Sequence, residues 1–264
     1  MNKLYHYTSF DTFLRIWASK QLKFGSVKNV NDIEEGRTNF NRITPAQIPL
    51  CLAYKDIRSS YKQISLNMDY DNHIKGCMSP IMWAHYGDKR KGVCIEFDRD
   101  RLHIPSHCFA EKVTYKEHIK KYSIFPPDIE TISDIKRYII ENKNDIFFTK
   151  LKCWEAENEF RIISDQDKFL NIDGAITTVY LTSCESDECK MTENLVKPYN
   201  IEVRYIHSLF SKDIFELSDS DTTAHRESYI INHEGNIYNG AIEFYNKHKN
   251  DENASLIWND WNRK

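Results

Sequence analysis

Two short motifs, far apart in the chain, carry residue types that could do chemistry together. The first is His6 with Thr8, two positions apart in the aromatic segment LYHYTS at residues 4–9, which predicts a first β-strand. Side chains at i and i+2 of a strand project from the same face, so both could offer hydrogen-bonding groups to one flat ligand that carries an amide and a ribose hydroxyl. An ordinary aromatic edge strand that leads into a helix cap explains the same segment.

The second motif stands near residue 160. Glu157, Glu159 and Arg161 occupy alternate positions, and both neighbours of Arg161 are apolar, which is the two-residue period of a strand with one polar face. Carboxylates can stabilise a developing positive charge, and an arginine can keep them ionised or contact a phosphate. A surface ion pair across neighbouring strands explains the same pattern.

A third group of polar and aromatic residues lies between the two motifs. The segment GCMS at residues 76–79 predicts a strand, Pro80 opens a short helix, and GVCIEF at residues 92–97 predicts the next strand. Ser79, Trp83, His85 and Tyr86 stand on or beside these elements.

The elements that must position these residues are predicted from caps and hydrophobic periods. Ser9 is a predicted N-cap of a helix. Further predicted elements are a strand over residues 21–26, a polar loop over 29–36, a long or broken helix over 134–151, strands over 177–182 and 201–206, and a helix over 187–198. After about residue 212 the composition shifts toward Asp, Ser, Asn and His. We therefore predict a main domain over residues 1–212 and an appendage over 213–264.

Composition restricts the class of protein. The 264 residues are 41% hydrophobic and carry a net charge of -3, which predicts a folded globular protein with no general electrostatic attraction to nucleic acid or membrane. No apolar stretch approaches the roughly 20 residues that span a bilayer, and residues 1–30 show no secretory signal pattern. We expect a cytoplasmic protein.

The cysteines and histidines give no clear metal motif. Seven cysteines, an odd number at irregular spacing, predict reduced thiols. His103, His107 and Cys108 have a spacing that could hold a metal, but Pro105 between them disrupts a helical ligand face. We interpret this segment as a loop and expect no metal.

In several of these motifs the chain resembles a widespread bacterial family, domain of unknown function 2971. The shared segments are residues 4–9 (LYHYTS), the pair Asn31 and Asp32, and residues 82–86 (MWAHY), 92–97 (GVCIEF) and 154–161 (WEAENEFR). That family in turn resembles the ADP-ribosyltransferase superfamily, whose His-Tyr-Glu branch carries His-x-Thr or His-x-Ser on its first strand. The resemblance implies an α+β fold, an ADP-ribosyltransferase-like split mixed or antiparallel sheet flanked by helices, with the ligand cleft between the sheet halves.

The resemblance also implies a catalytic set. His6 would bind the ribose next to nicotinamide, and Glu159, in preference to Glu157, would stabilise the positive charge that develops at C1'. Tyr86 belongs to the same set, and the middle member of the triad stays open. Glu157 would orient the acceptor. The sequence departs from the superfamily at the middle position, because GCMS stands where its tyrosine is expected and Tyr86 follows on the next helix.

The remaining residues of the motifs would bind the dinucleotide. An aromatic ring, Tyr86 or Trp83, would stack on nicotinamide. The other implied binding residues are Tyr7, Thr8, Asn31, Asp32, Ser79, His85 and Arg161.

The function implied is that of an enzyme with NAD as its substrate. It would be an ADP-ribosyltransferase that cleaves the nicotinamide–ribose bond and modifies a macromolecule, a protein or nucleic acid, as a toxin or phage-defence effector, or else an NAD glycohydrolase. Three alternatives stay open: a non-catalytic ligand-binding or interaction module, an RNA 2'-phosphotransferase-like enzyme, which would need a basic groove, and a nuclease or other hydrolase.

Overall fold

One large β-sheet organises the described part of the chain. The computed structural model describes residues 3–27, 40–41, 43–70, 75–119, 123–182, 187–208 and 215–219. The helices are α1 (Phe10–Ser19), α2 (Ile48–Ser60), α3 (Pro80–His85), α4 (Ile132–Glu141), α5 (Lys143–Phe147) and α6 (Asp187–Val196). The strands are β1 (Lys3–Thr8), β2 (Gln21–Lys23), β3 (Gly25–Ser26), β4 (Phe40–Asn41), β5 (Lys62–Met68), β6 (Val93–Asp98), β7 (Phe109–Lys112), β8 (Thr114–Lys116), β9 (Ser123–Ile124), β10 (Thr149–Leu151), β11 (Glu159–Ser164), β12 (Phe169–Asn171), β13 (Ile176–Leu181), β14 (Glu202–Ser208) and β15 (Phe215–Asp219).

The sheet is mixed and mostly antiparallel, which makes the protein an α+β protein. Its strand order is β15-β14-β13-β6-β1-β5-β11-β7, and β3 pairs with β5 beside this path. Within it, β13 and β14 are parallel. None of the helices in the described ranges is long and apolar enough to cross a bilayer.

Local signals explain where the helices begin and end. The Ser9 hydroxyl accepts a hydrogen bond from the Thr12 backbone N–H, and Lys20 ends α1 in the left-handed conformation. Thr131 and Asp134 form a capping box at the start of α4. Each cap satisfies backbone groups that a helix end leaves without partners.

Apolar residues of the helices pack on the sheet in separate clusters. The largest cluster joins Phe13 and Ile16 of α1 to Leu4, Ile95 and Ile162 on the central strands. A second cluster lies under α2 and α4. A third, smaller cluster surrounds Trp83, on the face of β1 that carries Tyr5 and Tyr7. Both faces of β1 therefore carry buried apolar residues.

Two predicted strands differ from the structure. Residues 76–78 form a 3-10 helix, because the chain turns where Gly76 lies directly against the Tyr5 ring and the Met68 carbonyl. Glu157 is the last residue of a second 3-10 helix, Lys152–Glu157, and Asn158 then adopts the left-handed conformation. The strand therefore begins at Glu159, and only Glu159 and Arg161 share its polar face.

Other predicted elements are present with shifted ends. The helix predicted over residues 134–151 is broken at Asn142 into α4 and α5 and is followed by β10. The predicted loop over residues 29–36 lies outside the described residues. Strand β15 comes after the predicted boundary at residue 212 and pairs with β14.

Candidate active site

A cleft opens where β1 and β5 separate. The two strands pair only at Leu4 with Met68 and at Tyr5 with Asn67. Farther along the same edge of β5, β3 replaces β1 and pairs Gly25 with Gln63. A cavity of about 570 Å³ lies at this divergence, within the range of about 300–1,000 Å³ that is typical of small-molecule sites.

Two buried glutamates and two buried cations line this cleft. We name Lys150, Glu157, Glu159 and Arg161 the carboxylate cluster; each is at most 5% exposed. Arg161 donates from Nε to Glu159 Oε1 over 2.7 Å and from Nη2 to Oε2 over 2.8 Å. Lys150 Nζ lies 2.5 Å from Glu157 Oε2 and 3.6 Å from Glu159 Oε2. The four charges therefore balance in pairs.

Backbone geometry brings the cluster together. Glu159 and Arg161 lie two residues apart on β11, opposite Asn67 and Ser65 of β5. The side-chain amide of Asn67 donates to the Glu157 carbonyl oxygen, which holds the end of the 3-10 helix beside the strand. The glutamates thus meet although only one of them belongs to the strand.

Glu159 is ionised at neutral pH. Burial alone would raise the pKa of its carboxyl, but the charge and hydrogen bonds of Arg161 and the charge of Lys150 outweigh burial. A hydrogen bond with the Ser65 side chain adds to the effect. The pKa of Glu159 therefore lies below its usual value.

His6 lines the same cleft and is neutral at pH 7. Burial lowers the pKa of its imidazole to about 4, and a hydrogen bond to the Ser65 backbone opposes that shift only in part. Ser65 therefore contacts both predicted catalytic side chains, His6 through its backbone and Glu159 through its hydroxyl.

Tyr86 is an aromatic side chain that lines the cleft and reaches the carboxylate cluster. Its hydroxyl donates to Glu157 Oε1 over 2.6 Å, and it lines the cleft in a half-buried position. Trp83, the other residue predicted to stack on a ligand, is fully buried and donates from its indole nitrogen to the Cys77 carbonyl over 2.8 Å. Trp83 is therefore part of the core beneath the site.

The other predicted binding residues have varied positions. Tyr7 borders the cleft, but its hydroxyl donates to the Gly76 carbonyl over 2.6 Å. Ser79 caps α3 by accepting from the Met82 N–H. Thr8 is buried at the end of β1 and does not line the cleft, and His85 is exposed on α3 outside it. Asn31 and Asp32 lie outside the described residues.

Three residues of the site were missed from the sequence. Lys150 follows the buried run Phe147, Phe148 and Thr149, and a single lysine next to an apolar run could have indicated a buried cation. Ser65 and Asn67 carry no such signal, because they reach the site only through pairing of β5 with β11.

Comparison with known proteins supports part of the resemblance. Residues 82–162 match the family model described as "Protein of unknown function (DUF2971)". The matched segment begins in α3 and ends in β11, so it contains Tyr86 and the whole carboxylate cluster and excludes His6. No curated protein and no solved structure matches this chain.

Proposed function

We propose that the protein cleaves the nicotinamide–ribose bond of NAD and transfers ADP-ribose to a macromolecular acceptor, as the resemblance to ADP-ribosyltransferases implies. The observation that carries the proposal is the shared contact with Ser65, because it puts neutral His6 and ionised Glu159 on the wall of one cleft.

The chemistry requires a carboxylate in a site with little water. As nicotinamide leaves, positive charge develops at C1' of the ribose, and a fixed negative charge stabilises that transition state more than the ground state. Glu159 meets the requirement because it is buried, ionised and held in place by Arg161. His6, which is neutral, can donate to or accept from a ribose hydroxyl.

Glu159 lines the cleft, so its carboxylate can meet a substrate there. An ionised carboxylate only accepts hydrogen bonds, and under this proposal Glu159 accepts one from the ribose 2'-hydroxyl. Glu157, held by Tyr86 and Lys150, would orient the acceptor, and the Tyr86 ring would stack on nicotinamide.

A second candidate function has an observation of its own. Both carboxylates already have cationic or hydroxyl partners, and a buried, balanced ion network also serves as a structural element. In a non-catalytic ligand-binding module, the carboxylate cluster would shape the cleft without acting on the ligand.

The test is nicotinamide release from NAD by the purified full chain, with and without cell lysate. We expect release by the wild type and loss of release in Glu159→Gln, with lysate dependence indicating transfer to an acceptor. Glu141→Gln, at an exposed site at the end of α4, is the matched control and should behave as the wild type.

A second variant separates lost chemistry from lost folding. His6→Gln leaves the ion pairs of the carboxylate cluster intact and should also lose release, while its circular dichroism spectrum stays native. Absence of release together with absence of an NAD-dependent thermal shift in the wild type would reject the proposal. A thermal shift without release would favour the ligand-binding module.

A further inference from the structure

Three side chains with different metal-binding atoms meet at the end of β11 that lies away from Glu159. They are His107 and Cys108, which precede β7, and Asp167, which follows β11. The last paired residues of these strands are Phe109 and Ile163, so the two flanking loops lie at the same end of the sheet. None of the three side chains lines the cleft.

The donor atoms are close enough to share one ion. His107 Nε2 lies 2.6 Å from Asp167 Oδ2, and Cys108 Sγ lies 3.5 Å from the same oxygen. All three donor atoms lie within 4.8 Å of one another. Ligand atoms of a tetrahedral zinc ion, at about 2.0–2.3 Å from the metal, are separated by about 3.3–3.8 Å, so His107 Nε2 and Asp167 Oδ2 must move apart by about 1 Å to share the ion.

Both loops are held in this geometry by hydrogen bonds of their own. The buried Ser164 hydroxyl donates to Asp167 Oδ2 over 2.8 Å and accepts from the Asp167 N–H over 2.9 Å. In the other loop, the Cys108 N–H donates to the Pro105 carbonyl over 2.9 Å. A site that is arranged before binding loses less entropy when it takes up an ion.

We propose that His107, Cys108 and Asp167 form a binding site for Zn²⁺, with a water molecule as the fourth ligand. Imidazole nitrogen, thiolate sulfur and carboxylate oxygen are the donors that zinc takes in proteins, and three protein ligands plus water is a common zinc arrangement. The His107 side chain is 39% exposed and that of Asp167 27%, which leaves a path from solvent and room for the water.

The binding step balances by release of a proton. The Cys108 thiol donates to Asp167 Oδ2 and so carries a proton, which the metal must displace from sulfur to solvent as the zinc–sulfur bond forms. The hydrogen bond between His107 and Asp167 is exchanged for a bond from each residue to the metal. Zinc would join the loop before β7 to the turn after β11.

The site differs from the arrangement considered on sequence. Pro105 does exclude a helical ligand face, but the third ligand comes from a distant turn, and His103 is not part of the cluster. His103 and His107 stand on the same loop, so they form a matched pair of variants.

The experiment is a titration of the full chain, without an affinity tag and stripped of metal, with Co²⁺ alone as the spectroscopic probe. We expect a thiolate-to-cobalt charge-transfer band and the visible bands of tetrahedral Co²⁺, both saturating at one ion per chain and both removed by added Zn²⁺. Cys108→Ser should abolish the charge-transfer band. Cys153→Ser, which removes an exposed thiol outside the cluster, should keep it.

Zinc affinity gives the second readout. His107→Gln and Asp167→Asn should each weaken Zn²⁺ binding by about 100-fold or more, since even loss of a residue behind a ligand costs about 10–100-fold, while His103→Gln should bind as the wild type. The proposal is overturned if no cobalt bands appear, if they survive Cys108→Ser, or if His103→Gln and His107→Gln weaken binding equally.

Discussion

Lys150 is the residue whose removal most directly tests the account of the carboxylate cluster. Its ammonium lies between Glu157 and Glu159, and all three side chains are at most 6% exposed. Replacing Lys150 with Met keeps the aliphatic volume and removes only the charge. Glu157 then loses its cationic partner, while Glu159 keeps Arg161.

The expected loss is large because the remaining charge stays buried. Breaking a buried ion pair by removing one partner costs about 3–5 kcal/mol, a large share of the roughly 5–15 kcal/mol that stabilises a typical domain. The surface pair of Lys116 with Asp145, whose side chains are 45% and 74% exposed, should contribute only about 0–1 kcal/mol. Lys150→Met should therefore be several kcal/mol less stable than Lys116→Met.

The assay is urea unfolding of the wild type, both single variants and the double variant Lys150→Met with Glu157→Gln. A shifted midpoint at constant slope reports stability. The double variant should recover most of the loss, because it removes the unpaired carboxylate as well. The reasoning is refuted if Lys150→Met unfolds at the same urea concentration as Lys116→Met, or if the double variant is less stable than Lys150→Met.

Two further predictions concern β1 and the chain packed against it. The pKa of His6 is about 4 in the folded protein and about 6.5 in the unfolded chain. Between these two pH values the unfolded chain binds more protons than the folded protein. The free energy of unfolding should therefore fall as pH decreases from about 6.5 to 4, by about 3 kcal/mol at most. Urea unfolding at several pH values should show a flatter profile for His6→Gln, and an unchanged profile would contradict the assignment. A Cβ on Gly92 would overlap the Thr8 carbonyl oxygen and come within 2.9 Å of that of Gly87, so Gly92→Ala should cost at least about 1–3 kcal/mol. Gly174→Ala is the comparison, because Gly174 has a φ of +74° and a Cβ there would meet open space. If Gly174→Ala unfolds at a lower urea concentration than Gly92→Ala, the packing argument is rejected.

Local signals in the sequence were sufficient to predict the positions of several helices and strands. The N-cap Ser9, the proline that opens α3 and the hydrophobic period of β6 each depend on neighbouring residues, and the structure has α1, α3 and β6 at those places. The strand predicted at residues 76–78 is wrong, because the conformation there depends on contact with Tyr5, which is far away in the chain. Local propensity carries no information on such a contact.

The features of the site also fall into those that the local sequence predicts and those that only strand pairing creates. Glu159 and Arg161 were predicted to share a strand face from their spacing alone, and that prediction is confirmed by β11. The divergence of β1 from β5 depends on which strands pair over which residues, and neither strand shows it in its own sequence. The apolar run before Lys150 could have indicated its burial, but its position between Glu157 and Glu159 depends on the fold.

The balance of charge in the carboxylate cluster links its stability to the proposed reaction. Two glutamates and two cations sum to zero, so stabilisation of a positive ribose depends on the carboxylate that lies closer to it. Removing Lys150 would leave the cluster with one net negative charge. Under the proposed function, Lys150→Met should therefore be less stable yet release nicotinamide at least as fast per folded molecule, whereas Glu159→Gln should lose release. Equal loss of release in both variants would show that the cluster acts by shaping the cleft, as in the ligand-binding module.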